Sequence, residues 1–140
     1  ETSIVHGDYR LDNMILKDNQ VMGILDWELS TLGHPIADFS YHCLSWRTQE
    51  AFWDQSKLKE LGIPNEREYM DMYCENTGKD LSKNWEFYMA FNMFKIAGIL
   101  QGILGRVRDG TASSKHAEDR GMMVYPLSEA AWNTIKENLL

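Results

Sequence analysis

His6, Asp8 and Asn13 stand in the stretch His6-Gly7-Asp8-Tyr9-Arg10-Leu11-Asp12-Asn13, and Asp26 and Glu28 follow an apolar pair, Ile24-Leu25, a little downstream. The order histidine-x-aspartate-x-x-x-x-asparagine is that of the H-R-D-x-x-x-x-N loop of phosphoryl-transferring enzymes. On that borrowed pattern Asp8 accepts or orients the proton of an acceptor hydroxyl, and Asn13 helps to hold a magnesium ion. Asp26 ends an apolar strand, the place where such enzymes keep their main metal-binding aspartate. Two protein oxygens, completed by phosphate oxygens and water, suit magnesium, which seldom sits in an all-protein cage. The plainer alternative has Asn13 capping a turn and Asp26 capping a helix. Their joint spacing after His6-Gly7-Asp8 favours chemistry.

The neighbours of these residues divide by role. Arg10, two after Asp8, can stabilise charge on a transferring phosphoryl group, or it can pair with Asp12 at the surface. His6 is expected to hold the shape of the loop through a backbone hydrogen bond rather than to act as a base. Glu28 is either a second metal ligand, direct or through water, or a solvated carboxylate. Trp27 is expected to pack under the loop. Asp38 falls among Ile36, Ala37 and Phe39. A buried carboxylate is costly unless paired, so Asp38 is expected to anchor the catalytic loop through backbone N–H groups. The alternative is a solvated carboxylate in a first helical turn.

A loop can aim short side chains at one point only if rigid elements hold its ends. Ser3 to Val5 reads as a strand entering the loop. Met14–Lys17 and Val21–Leu25 read as a hairpin turning at Asp18-Asn19, which carries Asn13 at one end and Asp26 at the other. Gly33 and Pro35 mark a turn and a helix start, the helix running through Tyr41 and Leu44 toward Trp46. Residues 47 to 64, with Phe52, Trp53, Leu58 and Leu61, read as a short helix or irregular excursion. Asn65 is an N-cap, with Glu66 and Glu68 in the acidic first turn of a helix ending near Thr77-Gly78. Ser82 is expected to cap the longest helix, 83–108, whose Trp85, Tyr88, Met89, Ile96, Ile99, Leu100, Ile103, Leu104 and Val107 follow helical spacing. Phe87, Phe91 and Phe94 widen that stripe and predict burial on much of its circumference. Asn92, Lys95 and Gln101 are polar insertions that could face a substrate cleft. A last helix starts near Ser114, is interrupted near Pro126, and ends with Leu127, Ala131, Trp132, Ile135 and Leu139.

In this order, the motifs resemble the C-terminal lobe of the aminoglycoside phosphotransferase-like kinases. Asn84-Trp85-Glu86-Phe87-Tyr88-Met89-Ala90-Phe91, Ile99-Leu100-Gln101-Gly102 and Gly110-Thr111-Ala112-Ser113-Ser114 resemble more narrowly the subfamily that in many organisms is fused to an acyl-CoA dehydrogenase. The resemblance runs over nearly the whole chain. It implies a mainly α fold with a small β-hairpin (α+β), the C-terminal lobe of a protein-kinase-like fold. It also implies ATP and Mg2+ as cofactors, and transfer of the γ-phosphoryl group to a hydroxyl of a small molecule. Asp8 and Arg10 would be the catalytic pair, Asn13, Asp26 and Glu28 the metal ligands, and His6 and Asp38 the supports. A hydroxylated acyl-CoA is favoured over an aminoglycoside as acceptor; Arg106, Arg108 and Lys115 would then be candidates for its phosphates, or else cations complementing a helix C-terminus. The family commonly has Gly-Asp-Pro where this chain has Gly33-His34-Pro35, so any role of that aspartate is lost or replaced.

Kinases of this type cover ATP with a separate N-terminal lobe. With the loop beginning at residue 6, no such lobe is expected upstream, and neither G-x-x-x-x-G-K-[ST] nor G-x-G-x-x-G replaces it. One domain, 1–140, is therefore expected: catalytic loop 6–13, metal-binding segment 24–28, helical subdomain 35–140. Alone it should be inactive, meeting a missing N-lobe or a second copy through an exposed cleft.

The 140 residues, 44% hydrophobic and 25% charged, suit a globular core. The net charge of -7 argues against a nucleic-acid partner. No apolar run is expected to approach the ~20 residues of a bilayer span, and no signal-peptide pattern opens the chain. Cys43 and Cys74, lacking metal-ligand spacing, read as buried thiols of a reducing, cytoplasmic compartment. Two other classes stay open: a non-catalytic interaction module or pseudokinase-like fragment, and a metal-dependent hydrolase using His6, Asp8 and Asp26.

Overall fold

The computed structural model describes residues 1–48, 55–138 and 140, which form two compact units, Glu1–Trp85 and Glu86–Leu140. The first unit opens with β1 (Ser3–Val5), which pairs antiparallel with β4 (Thr31–Gly33), Ile4 opposite Leu32. Sequence reasoning finds β1 but takes residues 31–33 for a turn; the extended Thr31-Leu32 instead supplies the backbone partner that a lone strand lacks. β2 (Met14–Lys17) and β3 (Gln20–Ile24) make the expected hairpin, with β3 one residue earlier than predicted. Asp18 and Asn19 both take positive φ, 50° and 59°, the two-residue turn whose twist matches its strands.

α1 (Pro35–Cys43) begins on a proline whose missing N–H costs nothing at that position. His34 caps it: Nδ1 accepts from the Ile36 N–H at 3.3 Å. The helix gives way at Leu44–Trp46 to a 3₁₀ turn. α2 (Gln55–Glu60) lies within the expected excursion, whose Phe52 and Trp53 fall outside the described residues. α3 (Glu66–Thr77) carries a full capping box, Asn65 Oδ1 accepting from the Glu68 N–H and the Glu68 carboxylate from the Asn65 N–H, both at 2.9 Å. Gly78 closes it in the left-handed region.

Ile36, Cys43, Leu44, Met70, Leu81 and Trp85 are buried here. Phe39 stacks on Tyr73 with centroids 3.9 Å apart, and Trp46 on Tyr69 at 5.1 Å. Glu66 ties the unit together: Arg47 Nε donates to both carboxylate oxygens (3.0 and 2.9 Å) and Trp85 Nε1 to one of them (2.8 Å). Burial pushes the Cys43 thiol well above its usual range, an inert group. Cys74 is only half-buried, contrary to expectation.

The second unit is built on α4 (Trp85–Arg108), α5 (Ala117–Met122) and α6 (Val124–Asn138). α4 starts two residues later than predicted. The Ser82 N–H donates to Asp80 Oδ1 at 2.8 Å, a local turn that competes with helix. Met89, Met93 and Ala97, spaced four apart, are buried with Ala90 and Asn92. Phe87, Phe91 and Phe94 are 51%, 48% and 74% exposed. Phe87 and Phe91 sit two residues from the Met89 row, about 200° around the helix, and Phe94 one residue beyond Met93, about 100° around it, so the expected burial of much of the circumference is wrong. Lys95 is half-buried and Gln101 exposed. By length and composition alone α4 could cross a membrane; that corrects the expectation that no apolar run comes near this size, although core helices of soluble proteins also meet it.

The predicted final helix is two helices, broken at Met123 rather than at Pro126. Pro126 lies in the first turn of α6, where no intrahelical N–H is needed. A Cβ on Gly121 would come within 2.6 Å of Leu104 Cγ, so α5 packs on α4 at a position that only glycine fits. Leu127 and Ala131 face inward but Trp132 is 56% exposed, and Leu139 lies outside the described residues.

Candidate active site

The loop after β1 is pinned from below by α1. Asp38 Oδ2 accepts from the His6 N–H at 2.6 Å and Oδ1 from the Gly7 N–H at 2.8 Å. Both bonds are charge-assisted, and they satisfy two amides that the turn leaves without strand partners. Gly7 is required by conformation and by space: φ is +84°, and a Cβ would lie 2.7 Å from the Leu29 carbonyl oxygen.

His6 is 2% exposed. Its Nε2 lies 2.7 Å from the Leu25 carbonyl and its Nδ1 3.3 Å from the Asp8 N–H. One tautomer serves both contacts, with Nε2 donating and Nδ1 accepting. The ring thus ties the Asp8 loop to the residue preceding Asp26. Trp27 lies against it, centroids 4.8 Å apart, with Nε1 donating to the Ile24 carbonyl at 2.8 Å, although the indole remains 47% exposed.

The half-buried Asp8 carboxylate has two donors. Tyr41 OH gives to Oδ1 at 2.7 Å and Asn13 Nδ2 to Oδ2 at 3.1 Å; Asn13 Nδ2 also reaches the Asp8 carbonyl at 2.9 Å. Asn13 sits at the end of a 3₁₀ turn, Leu11–Asn13, and its carbonyl accepts from the Leu25 N–H at 2.8 Å. The hairpin register, Met14 opposite Ile24, therefore sets Asn13 beside Leu25 and next in line to Asp26. Asp26 is left-handed (φ 64°, ψ 51°), with no capping bond from its side chain. A non-glycine residue held there costs on the order of 1 kcal/mol, and the cost is met by the bonds at Leu25 on one side and Trp27 on the other.

Arg10 is exposed and paired with Asp12; that hydrogen bond is the main cause that raises its already high pKa, with Asp8 a lesser contributor. Glu28 is exposed on the 3₁₀ turn Trp27–Leu29. Among the described residues no three His, Cys, Asp or Glu side chains stand close enough to hold a metal by themselves. The available set is the side-chain oxygen of Asn13, whose nitrogen is committed to Asp8, and the Asp26 carboxylate. Both are hard oxygen donors of the kind magnesium takes when phosphates and water supply the rest.

Sequence reasoning missed Tyr41. The signal was present: it lies three residues after Asp38, hence on the same face of α1, but a tyrosine in an amphipathic helix otherwise reads as core. Burial first, and then the bond to Asp8, push its hydroxyl up to about 12.

Acyl-CoA dehydrogenase family member 10 of Mus musculus is 44% identical over 139 residues, 94% of this chain and 13% of that protein. Acyl-CoA dehydrogenase family member 11 of Homo sapiens is 38% identical over 135 residues, 92% of this chain and 17% of that protein. The chain thus spans less than a fifth of the curated relatives it matches. A crystal structure of a provisionally named aminoglycoside phosphotransferase from Ralstonia eutropha JMP134 superposes with a TM-score of 0.87 at 49% identity, over 97% of this chain and 43% of that one. The model of the phosphotransferase enzyme family matches residues 1–73. With more than half of its length so matched, the chain belongs to the phosphotransferase enzyme family and has the fold of a kinase-like C-terminal lobe.

Proposed function

We propose that this chain is the catalytic lobe of an ATP-dependent phosphotransferase acting on a hydroxyl of a small molecule. One observation carries the reading: Asp8 is held between Tyr41 and Asn13 in a loop whose amides are locked to Asp38, while Asn13 is bonded to the residue before Asp26. The acceptor hydroxyl gives its proton to Asp8 as its oxygen bonds to the γ-phosphorus. The bond from that phosphorus to the β–γ bridging oxygen breaks, and ADP leaves. Asn13 and Asp26 are the residues that would hold magnesium, with Glu28 a further candidate, direct or through water. When bound, the ion neutralises phosphate charge. Arg10 could turn from Asp12 toward the phosphoryl oxygens. The acyl-CoA dehydrogenase names of the relatives support a hydroxylated acyl-CoA over an aminoglycoside as acceptor.

A second reading has its own support. Ile4 and Leu32, paired across β1 and β4, are each 72% exposed, and Leu11, Leu16 and Met22 are more than half exposed. Apolar surface of this kind marks an interaction face, for a nucleotide-covering lobe or a second copy. The hydrolase reading finds no three-ligand cluster among the described residues to support it.

Calorimetry of ATP binding, with and without magnesium, on the wild type and Asp26→Ala tests the first reading. Magnesium-dependent binding that the variant loses supports a phosphate site. A folded sample that binds no nucleotide and sediments as a dimer would support the interaction module instead.

A further inference from the structure

We infer that Tyr41 is a positioning residue for Asp8: its hydroxyl fixes Oδ1, so the acceptor hydroxyl meets Oδ2. The inference rests on the phosphotransfer reading and adds to it a residue on α1. A carboxylate on a loop turns freely about its last torsion, and both oxygens are equivalent until something distinguishes them. Here the two oxygens differ. Oδ1 takes a 2.7 Å bond from a half-buried phenol on a helix, whereas Oδ2 has only the longer 3.1 Å contact with Asn13 Nδ2, which that nitrogen shares with the Asp8 carbonyl. An ionised carboxylate has about four acceptor positions, so Oδ2 retains room for a substrate proton.

The clamp is rigid because of where it is mounted. Tyr41 is one turn beyond Asp38, and Asp38 holds the amides of His6 and Gly7. The same helix therefore sets both the backbone of the loop and the rotation of its carboxylate. Fixing a reacting group this way lowers the barrier without adding affinity for the nucleotide. Asp8, Arg10 and Asp38 are the charges acting on the phenol. Its raised pKa keeps it a donor throughout the neutral range.

The test joins a spectroscopic and a kinetic readout on the full-length protein. First, the carbon-13 resonance of Tyr41 Cζ at neutral pH is compared between wild type and Asp8→Asn. It should move when the charged acceptor is removed, and a resonance indifferent to that change overturns the proposal whatever the turnover. Second, turnover of magnesium–ATP is measured with water, then with 3-hydroxybutyryl-CoA, as acceptor. Tyr41→Phe, checked for an unchanged melt, should lower kcat about tenfold while KM for magnesium–ATP stays within about twofold, since only the oriented carboxylate is lost. Retained kcat, or KM rising in step with a fall in kcat/KM, overturns it. A wild type that neither binds nor turns over magnesium–ATP instead sinks the phosphotransfer reading, and the role of Tyr41 with it. The wild type alone shows that outcome, so the two failures are told apart.

Discussion

At the scale of single residues, one carboxylate decides the shape of the loop. Asp38 accepts two amide protons, from His6 and Gly7, and so holds the turn that carries Asp8. Asp38→Ala leaves the His6 and Gly7 N–H groups without their acceptor in a half-buried place, and each such donor costs about 1–3 kcal/mol. Urea unfolding should show Asp38→Ala less stable by roughly 2–6 kcal/mol, with the His6 and Gly7 amides exchanging faster than the rest of the unit. Equal stability would mean that water replaces the carboxylate. The contrast with Tyr41 shows what sequence discloses at this scale. His6, Asp8, Asn13 and Asp26 are legible because a backbone loop sets their spacing along the chain. Tyr41 and Asp8 are 33 apart, and no local period records a contact made through the tertiary fold.

At the scale of elements, boundaries follow caps. Asn65 announces α3 because its side chain satisfies an orphan amide that no helical partner can reach. Ser82 misleads because Asp80 takes its N–H first. β4 is invisible beforehand because a three-residue strand exists only through its partner β1. The stripe on α4 was legible in period but not in phase: both the Met89 row and the Phe87 row are apolar, and only packing chooses between them. Asn65→Ala removes one half of the capping box and should cost about 1 kcal/mol, read as a lower thermal midpoint with unchanged helix content away from residues 65–69. A variant as stable as wild type would show that Glu68, or water, caps α3 unaided.

At the scale of the whole molecule, burial of titratable rings sets a pH window for stability. Burial lowers the pKa of His42 below its ordinary 6.5, against a smaller opposing effect from the Tyr9 carbonyl. As pH falls through about 6.5 the unfolded chain binds that proton before the folded one does, so folding stability declines on the acid side. Tyr41, Tyr69 and Tyr73 are shifted the other way, burial being the first cause in each. As pH rises through about 9 the unfolded chain loses the proton of Cys43, whose thiol burial also pushes up, and through about 10 the phenol protons, so stability declines on the alkaline side as well. The carboxylates held low by hydrogen bonds, Glu1 with Lys79 and Asp80 with Ser82, lie at the surface and enter only at more acid pH. Stability from these groups should therefore be flat between about 6.5 and 9, and the two limbs can be separated by variant. His42→Gln should flatten the first decline below neutrality and leave the alkaline limb alone, whereas Tyr41→Phe should leave the acid limb alone and only reduce the alkaline one, to which Tyr69, Tyr73 and Cys43 still contribute. Unfolding free energies measured at intervals from pH 5 to 11.5 settle the assignment. An acid limb unchanged in His42→Gln would place the proton uptake elsewhere and mean that the ring between Tyr9 and Tyr69 charges without cost to the fold.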